Sequence, residues 1–418
     1  MTSRRIAIVG YGTAGQASAV LLAREGHEVT VFERVPQPGP VGAGFLLQPS
    51  GLQVLWRMGL LDPVLRHGAR IDRLFGDTPC GRAVMDMRYA GLESRLHGIG
   101  LQRGALFSIL DAAWPGRARA LHAGCEVVAV DAARGVLRDA QGGEYGPFDL
   151  AVVADGAASR LPGALAAPRI DRPYPWGALW CLLPAGEWPW VAELRQRYLA
   201  ARRMIGLLPV GNCPADPVRR LSFFWSVRSD AFDDWHARGL AAWQQELHAL
   251  WPEAGGVFAG IADAAQLARA RYRDTIVRRW HGGRVVLVGD AAHAMSPQLG
   301  QGVNMALMDA EALARNLRAA TALEPALDAY QRERAAHVWI YQLWSRWLTP
   351  LFQSDRDAVA KMRDVALLPM GRMPGGRGQM LRVLTGTRRG LFGTLALEDG
   401  FLDALGQPAP GGVPLVAD

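Results

Sequence analysis

The sequence predicts an α/β chain with three parts: a parallel βαβ domain that the chain leaves and later re-enters, an inserted antiparallel-sheet domain, and a C-terminal helical extension. Three observations predict it. Residues 4–33 read as strand, Gly-rich turn, helix and strand, a unit of about thirty residues. Between about 170 and 280 the character changes to Trp-rich alternating strands broken by Pro and Gly. Then Arg284-Val-Val-Leu-Val288 returns as an apolar parallel-type strand and leads through a loop into a helix. The chain has 418 residues, beyond the roughly 250 to 300 at which a single core stops growing.

The elements follow in order. Arg5-Ile-Ala-Ile-Val-Gly10 is a short apolar run, Gly15 to Glu25 has helical spacing, and Glu28-Val-Thr-Val-Phe-Glu33 alternates as a strand does. Residues 36–51 are rich in Pro and Gly and read as a long loop, followed by a helix from Gly51 to Leu61 that ends before Asp62-Pro63. Residues 103–113 read as a helix, Cys125–Val130 with Val136–Asp139 as a hairpin, and Leu150–Ala154 as a buried strand. In the inserted part, Trp176–Leu183 and Leu221-Ser-Phe-Phe-Trp-Ser-Val227 are strands. Phe223 and Trp225 share one strand face and Phe224 takes the other, so one of the two sets lines an apolar pocket. Helices follow at about Val303–Arg318 and 325–348, and residues 361–393 mix helix with Gly and Arg.

Composition excludes several classes. Half of the residues are apolar and a fifth are charged, as in ordinary globular proteins. The cysteines Cys80, Cys125, Cys181 and Cys213 lie 32 to 56 residues apart with no CxxC pair, which suggests neither a metal site nor a disulfide framework and fits a reducing cytoplasm. The formal charge is +7, and of the 46 basic residues only Lys361 is a lysine. No basic run interleaved with aromatics occurs in the first 330 residues, so nucleic acid is not an expected partner. Met1-Thr-Ser-Arg-Arg passes directly into the first strand, without a signal-peptide apolar region, and no stretch reaches 18 apolar residues without a charge.

Gly10-Tyr-Gly12-Thr-Ala14-Gly15 fits GxGxxG in the context that gives the motif meaning, with a strand before it, a helix after it and Glu33 ending the next strand. Glycines let the backbone approach a pyrophosphate, the helix N-terminus faces its charge, and the carboxylate takes ribose hydroxyls. This motif does not choose between NAD and FAD. A second segment does: Gly289-Asp290-Ala-Ala-His293-Ala-Met-Ser-Pro297-Gln-Leu-Gly300-Gln301-Gly302-Val-Asn304 puts an Asp at a strand end, then a Gly-rich loop and a helix. Such an Asp binds polyol hydroxyls, and the Gly300–Gly302 amides stabilise negative charge on an adjacent ring, which suits a reduced flavin.

The string GDAAHxxxPxxGQGxN with the N-terminal GxGxxG resembles the FAD-dependent monooxygenases of the p-hydroxybenzoate hydroxylase type, the single-component flavoprotein aromatic hydroxylases, over most of residues 4 to about 345. The resemblance implies a Rossmann-like FAD-binding domain of the glutathione-reductase type (residues 1–75, 100–168 and 280–330), a substrate-binding sheet domain (76–99 and 169–279) and an extension (331–418). It extends to Val41-Gly-Ala-Gly44, similar to the family's flavin-contacting loop, to Arg103 at the family's Arg position near the cofactor, and to Asp155-Gly156-xx-Ser159-Arg160, similar to the motif associated with FAD and NAD(P)H. That last motif departs from the pattern at Leu161-Pro162, and Asp-Gly is also a common turn dipeptide. The cofactor contacts implied are Gly10, Gly12, Ala14, Gly15, Glu33, Arg34, Gly44, Arg103, Val128, Asp155, Gly289, Asp290, Pro297, Gly300, Gln301, Gly302 and Asn304. Gly10 to Gly15 and Glu33 go to the adenosine end, Arg103 and Asp290 to Gly302 to the ribityl chain and isoalloxazine.

The implied activity is hydroxylation of an aromatic or conjugated apolar small molecule, with NADH or NADPH reducing FAD and molecular oxygen adding to give a flavin hydroperoxide. The cofactor carries the hard chemistry and the protein orients it. No second strand-led GxGxxG occurs, so no separate nicotinamide domain is expected. His293 reads as structural, within a cofactor loop. His97, Tyr174 and His236 are the candidates for a substrate base, and none is assigned.

Two other flavin chemistries share the motifs. Trp188-Pro189-Trp190 superficially resembles an element of flavin-dependent halogenases, but Val191-Ala192-Glu193 breaks it and the only lysine, Lys361, lies far from the position a halogenase requires. An FAD-dependent reductase or desaturase of lipid-like substrates inserts no oxygen, and product composition separates it from a hydroxylase. In the extension, Val338-Trp-Ile-Tyr-Gln-Leu-Trp-Ser-Arg-Trp-Leu348 is aromatic-rich and Lys361, Arg363, Arg372, Arg377, Arg382, Arg388 and Arg389 follow it. Two readings stay open: peripheral membrane contact, or packing of Trp339, Trp344 and Trp347 on the FAD domain or at a homodimer contact.

Overall fold

A computed structural model describes residues 3–39, 42–116, 120–165, 168–373 and 375–407. The first domain is built on a six-stranded sheet in the order His281–Gly282, Val285–Leu287, Leu150–Val153, Arg5–Val9, Glu28–Glu33, Leu121–Ala123. All its pairings are parallel except that of the short His281–Gly282 edge strand. Ile6, Ala7, Ile8 and the whole of Leu150–Val153 are buried, which is why these strands read as continuous apolar runs. Val285–Leu287 pairs with Ala151–Val153, so the chain does rejoin the sheet it left.

The helices Thr13–Arg24 and Gly302–Ala319 pack against each other on this sheet. Their approach leaves no room at Gly289, where a Cβ would lie 3.1 Å from that of Ala14 and φ is +61°.

The inserted sheet has seven strands, in the order Ala268–Ile276, Ile170–Pro184, Arg220–Arg228, Arg203–Pro209, Glu193–Leu199, Arg73–Asp77, Ala83–Arg88. It is antiparallel except at one joint, where Glu193–Leu199 runs parallel to Arg73–Asp77. The expected all-antiparallel sheet is corrected there, because the chain reaches Arg73–Asp77 from the first domain and not through a hairpin. Arg73–Asp77 also crosses the expected domain boundary at 75/76, and Gly98–Gln102 crosses the one at 99/100.

The two sheet faces are unlike. Phe223 and Trp225 are buried in a second core with Trp243 and Phe258. Ser222, on the opposite face, accepts the Gly44 amide at 3.1 Å, and Leu182, Leu194 and Leu208 pack against the first core. Phe224 shares the Ser222 face and packs against the small core of Val84, Tyr198, Met204 and Phe352, the last from the extension. The joint is close: a Cβ on Gly100 would fall 1.9 Å from the Pro209 carbonyl oxygen, and one on Gly44 2.6 Å from Val210.

Two local expectations are corrected. The 36–51 loop contains a strand, Gly44–Leu47, paired with Gly98–Gln102. The expected helix to Leu61 is two helices, Pro49–Arg57 and Leu61–His67. Pro63 lies in the first turn of the second one and does not end the first, because a proline in a first turn lacks only an N–H that would have no helical partner.

Leu323–Phe352 is a thirty-residue helix, followed by helices Asp357–Arg372, Gly376–Leu384 and Asp399–Gly406. Val338, Ile340 and Tyr341 bury one side of the long helix, while Trp339, Trp344 and Trp347 are 48%, 41% and 73% exposed. These tryptophans do not pack on the first domain, which corrects that reading. Among the described residues no helix is long and apolar enough to cross a membrane.

Candidate functional site

In a parallel sheet every strand presents its carboxyl end at one edge, and ligands bind there. Val9, Glu33, Val153 and Leu287 end their strands at that edge. Gly10–Gly15, Glu33, Arg34, Asp155, Gly289 and Asp290 follow directly, so the fold gathers residues 280 positions apart in sequence.

The three motif glycines have different reasons to be there. Gly10 has φ +100° and a Cβ on it would meet the Ala154 carbonyl oxygen at 2.6 Å, while one on Gly15 would meet the Gly10 oxygen at 2.0 Å. Both serve internal packing. Around Gly12 nothing lies within 4 Å, so the middle glycine faces open space at the N-terminus of the Thr13–Arg24 helix. That N-terminus has neither a capping side chain nor an acidic first-turn residue, which leaves its amides for an anion. Ala14 is buried behind it against Gly289. Glu33 accepts the Tyr11 amide at 2.7 Å and the Val35 amide at 2.9 Å, fixing the turn. Arg34 is exposed beside it.

Asp155 lies across the edge with Oδ1 buried and without a hydrogen-bond partner among the described residues. Burial raises its pKa, opposed by a hydrogen bond from Ser159. Val128 is 50% exposed on the Val127–Asp131 strand of a separate small sheet, which starts just after the Cys125 amide bonds the Glu33 carbonyl at 2.9 Å.

Further along, Arg103 and Asp290 share an unusual state. Both are open to solvent, yet burial pushes the Arg103 pKa down and the Asp290 pKa up, and each feels the other's charge. Side chains that are accessible and still desolvated line a cleft, not a convex surface. Arg103 opens the Arg103–Ala113 helix, lies against Gly42 and faces the Phe45 ring. Val41 lies outside the described residues.

The Gly-rich loop forms the facing wall. Pro297 opens a short turn, Gly300 has φ +61°, and Gly302 is exposed at the start of the Gly302–Ala319 helix with Asp290 Oδ1 3.9 Å from its Cβ position. No acidic residue lies in that helix's first turn and no side chain caps it. Gln301 and Asn304 turn inward. Gln301 Nε2 donates to the Leu384 carbonyl at 2.7 Å. Asn304 accepts the Gln48 amide at 2.9 Å and donates to the Leu46 and Gly300 carbonyls at 3.4 and 3.2 Å. Their side chains brace the loop and leave its backbone for a ligand. Gly44 likewise acts at the sheet joint.

The cleft is closed by the inner face of the inserted sheet. Trp180 packs on Phe224 with ring centroids 5.5 Å apart and donates Nε1–H to the Tyr272 hydroxyl at 3.0 Å. Tyr272 feels the Arg103 charge. The sequence reading did not single out Trp180 or Tyr272; their signal was the strand alternation that also placed Phe224.

Two of the candidate bases, His97 and His236, are not brought to this cleft. His97 is buried with Arg70 and Asp72 nearby and its pKa is pushed down to about 4, chiefly by burial. His236 is on the Phe232–Arg238 helix behind the sheet. Tyr174 meets Thr349 and Ser296, the residue that caps the Pro297 turn, and so lies by the Gly-rich loop. His293 is buried and meets Asp309 Oδ2 at 2.6 Å, as a structural residue would. Asp309 itself was missed, although a lone acid between Met308 and Ala310 on an apolar helix face is a readable signal. Lys361 lines a surface cavity of about 540 Å³ with Arg202, Arg203 and Glu246, by the end of the Arg203–Pro209 strand opposite to that meeting Gly100.

Comparison with known proteins gives a consistent result. A family model described as FAD binding domain matches residues 4–344. The 6-hydroxynicotinate 3-monooxygenase of Pseudomonas fluorescens is 27% identical over 374 residues, covering 83% of this chain and 92% of that protein. The kynurenine 3-monooxygenase of Salinispora arenicola (strain CNS-205) is 30% identical, covering 86% and 81%. Among solved structures, Klebsiella pneumoniae HpxO complexed with FAD and uric acid superposes with a TM-score of 0.76 at 20% identity, covering 91% of this chain and 96% of that one.

Proposed function

Because the chain belongs to the FAD binding domain family and the relatives it matches over most of its length are monooxygenases, it is an FAD-dependent monooxygenase, and we propose that it hydroxylates a planar conjugated ring bearing an acceptor oxygen, with NADH or NADPH as donor. The observation that carries the substrate class is the aromatic wall of Trp180, Phe224 and Tyr272 beside Arg103 and Asp290.

The residues fit the cofactor: an open side at Gly12, two uncapped helix N-termini, the unpartnered Asp155 Oδ1 and the accessible but desolvated Arg103–Asp290 pair. We assign Gly12, Ala14 and Gly15 amides to the pyrophosphate, with Gly10 holding the turn. Glu33, Arg34 and Val128 take the adenosine end. Arg103, Asp155, Gly289 and Asp290 take the ribityl chain, and the Pro297, Gly300, Gln301 and Gly302 backbone takes the ring, with Gly44 and Asn304 supporting the loops. Bound FAD supplies the redox chemistry with oxygen.

The protein's own part is recognition and exclusion of water. Tyr272 accepts the Trp180 N–H, so its own O–H is free for the substrate. Burial pushes its pKa up to about 12, which keeps it a donor at neutral pH and unsuited to act as a base. Trp180 and Phe224 offer ring faces to a planar partner.

The domain division carries over as a proposal, with residues 1–75, 100–168 and 280–330 holding FAD, 76–99 and 169–279 the substrate, and 331–418 as the extension. We read the enzyme as cytoplasmic, and the exposed Trp339, Trp344 and Trp347 as a contact outside the chain. Gel filtration and vesicle co-sedimentation of the holoenzyme separate a homodimer from a peripheral membrane contact.

The deciding experiment is anaerobic stopped-flow mixing with NADH or NADPH, with and without candidate aromatics, followed by oxygen. Substrate-accelerated bleaching and then a hydroxylated product support the reading. Flavin that is reduced and reoxidised with no oxygenated product returns the reductase or desaturase alternative.

A further inference from the structure

Behind the Gly289-Asp290 turn runs a line of buried polar groups that the function above does not use. Asp309 is fully buried. Its Oδ2 accepts the Gly289 amide at 2.8 Å and meets His293 Nε2 at 2.6 Å, while its Oδ1 accepts Arg334 Nε at 2.7 Å. Arg334 NH1 lies 2.7 Å from His337 Nδ1. A guanidinium only donates, so Nδ1 is the acceptor and the imidazole proton sits on Nε2, which donates to the Gly386 carbonyl at 3.1 Å. Arg334 and His337 are 2% and 3% exposed.

The far end of this line is the other wall of the same cleft. Gly386 has φ +75°, and a Cβ on it would lie 1.9 Å from Ser50 Oγ. Just before it, the Val383 and Leu384 carbonyls take Gln301 Nε2 at 3.4 and 2.7 Å, and the Thr385 carbonyl takes the Ser50 amide at 3.1 Å. Gln301 is the residue at which the Gly302–Ala319 helix begins, and Ser50 is in the first turn of Pro49–Arg57. One network thus holds Gly289 at one end and the Gln301 loop at the other. Asp309, Arg334 and His337 lie within the 4–344 match, and only the Val383–Gly386 end lies beyond it.

We propose that the Val383–Gly386 turn, held by Asp309, Arg334 and His337, is a clamp that sets the spacing of the two cleft walls, and that His337 is a positioning residue for FAD without touching it. The proposal rests on the FAD reading. The polar groups of Asp309, Arg334 and His337 are all paired, and such a buried line rigidifies what it joins, while a ligand held between two walls gains affinity from their preorganisation.

The test measures FAD affinity by titrating the apoprotein of the full chain, alongside its melting temperature. His337→Phe should weaken FAD binding about tenfold, the effect of losing one buried hydrogen-bond partner. His337→Gln, whose amide can both accept from Arg334 and donate to Gly386, should restore most of that loss. Trp243→Phe, in the second core, is the control and should lower the melting temperature with FAD affinity unchanged. If His337→Phe fails to fold, Gly386→Ala, which wedges the turn away from Ser50, gives the same readout. Wild-type FAD affinity in His337→Phe or Gly386→Ala, or a loss no greater than in a control of equal melting temperature, overturns the clamp. A wild-type chain that binds no FAD overturns the cofactor reading, and the clamp with it.

Discussion

Trp180 gives its indole N–H to the Tyr272 hydroxyl at 3.0 Å on the inner face of the inserted sheet. Tyr272 must therefore aim its own proton elsewhere, and the Arg103 side of the cleft is open. Tyr272→Phe removes one hydrogen-bond donor, worth about 1 kcal/mol or roughly fivefold in kcat/KM, while flavin content stays that of the wild type. The check is steady-state kinetics on paired substrates with and without a ring oxygen. An equal loss on both members of the pair would argue against substrate recognition by the hydroxyl.

Glu33 satisfies two backbone amides, those of Tyr11 and Val35, before any ribose is present. Its carboxylate therefore both shapes the Gly-rich turn and waits for the ligand. Glu33→Ala frees both amides and should weaken FAD binding about tenfold or more, and Glu33→Gln, which keeps one acceptor oxygen, should fall between. Equal affinities for the two variants would show that the turn does not need the acceptor.

Much of the parallel domain was legible in the sequence because strands buried on both faces, such as Leu150–Val153, leave continuous apolar runs, and because the Gly10–Gly15 turn is local. The inserted sheet was legible as strands but not as a whole. The parallel joint between Arg73–Asp77 and Glu193–Leu199 pairs segments 120 residues apart, and no local pattern encodes such a register. At the cleft, residue types in motifs were readable and inward-turned roles were not. Gln301 and Asn304 look like ligand contacts in the string, and only the Leu384, Gln48 and Leu46 backbone groups they meet reveal them as braces. The Asp309–Arg334–His337 line joins three elements and has no contiguous motif.

Arg195 occupies a position where an arginine does what a lysine could not. Its guanidinium lies 4.5 Å from the Phe75 ring centroid and 4.3 Å from that of Trp190, with Arg73 also 4.5 Å from Phe75. A planar cation stacks between two rings, and an ammonium does not. Arg195→Lys should cost about 1 kcal/mol of stability, read as a lower denaturant midpoint with unchanged FAD affinity. A midpoint equal to that of the wild type would leave the stack without energetic weight.

Asp290 sets affinity against stability. Burial raises its pKa above the usual carboxylate value, so the folded apoprotein holds this proton more tightly than the unfolded chain does. The resulting cost is absent below the unfolded value and grows as pH rises from the unfolded value through the folded one. Asp290→Asn should therefore raise the melting temperature of the apoprotein at pH 7, with no gain at acid pH, while Asp290→Asn and Asp290→Ala both lower FAD occupancy sharply. Full flavin content in the purified Ala variant would contradict the assignment, and a melting temperature that falls at pH 7 would contradict the electrostatic account.

Acid should destabilise the chain, in large part through two buried imidazoles. Burial holds the His97 pKa down to about 4 and that of His337 down to about 3, with Arg70 and Arg334 adding repulsion. Asp309, which burial alone would raise, is held at about 2 by His293 and Arg334, so it stays ionised through the same range. Below about pH 6.5 the unfolded chain takes up the protons that the folded one refuses, and stability falls by up to about 1.4 kcal/mol per pH unit for each imidazole. The fall begins near pH 6.5 for both, and continues to about pH 4 for His97 and pH 3 for His337. Urea midpoints measured between pH 7.5 and 5 test this, and His97→Phe should make the slope shallower. A slope unchanged by that substitution would mean that His97 takes up its proton without unfolding.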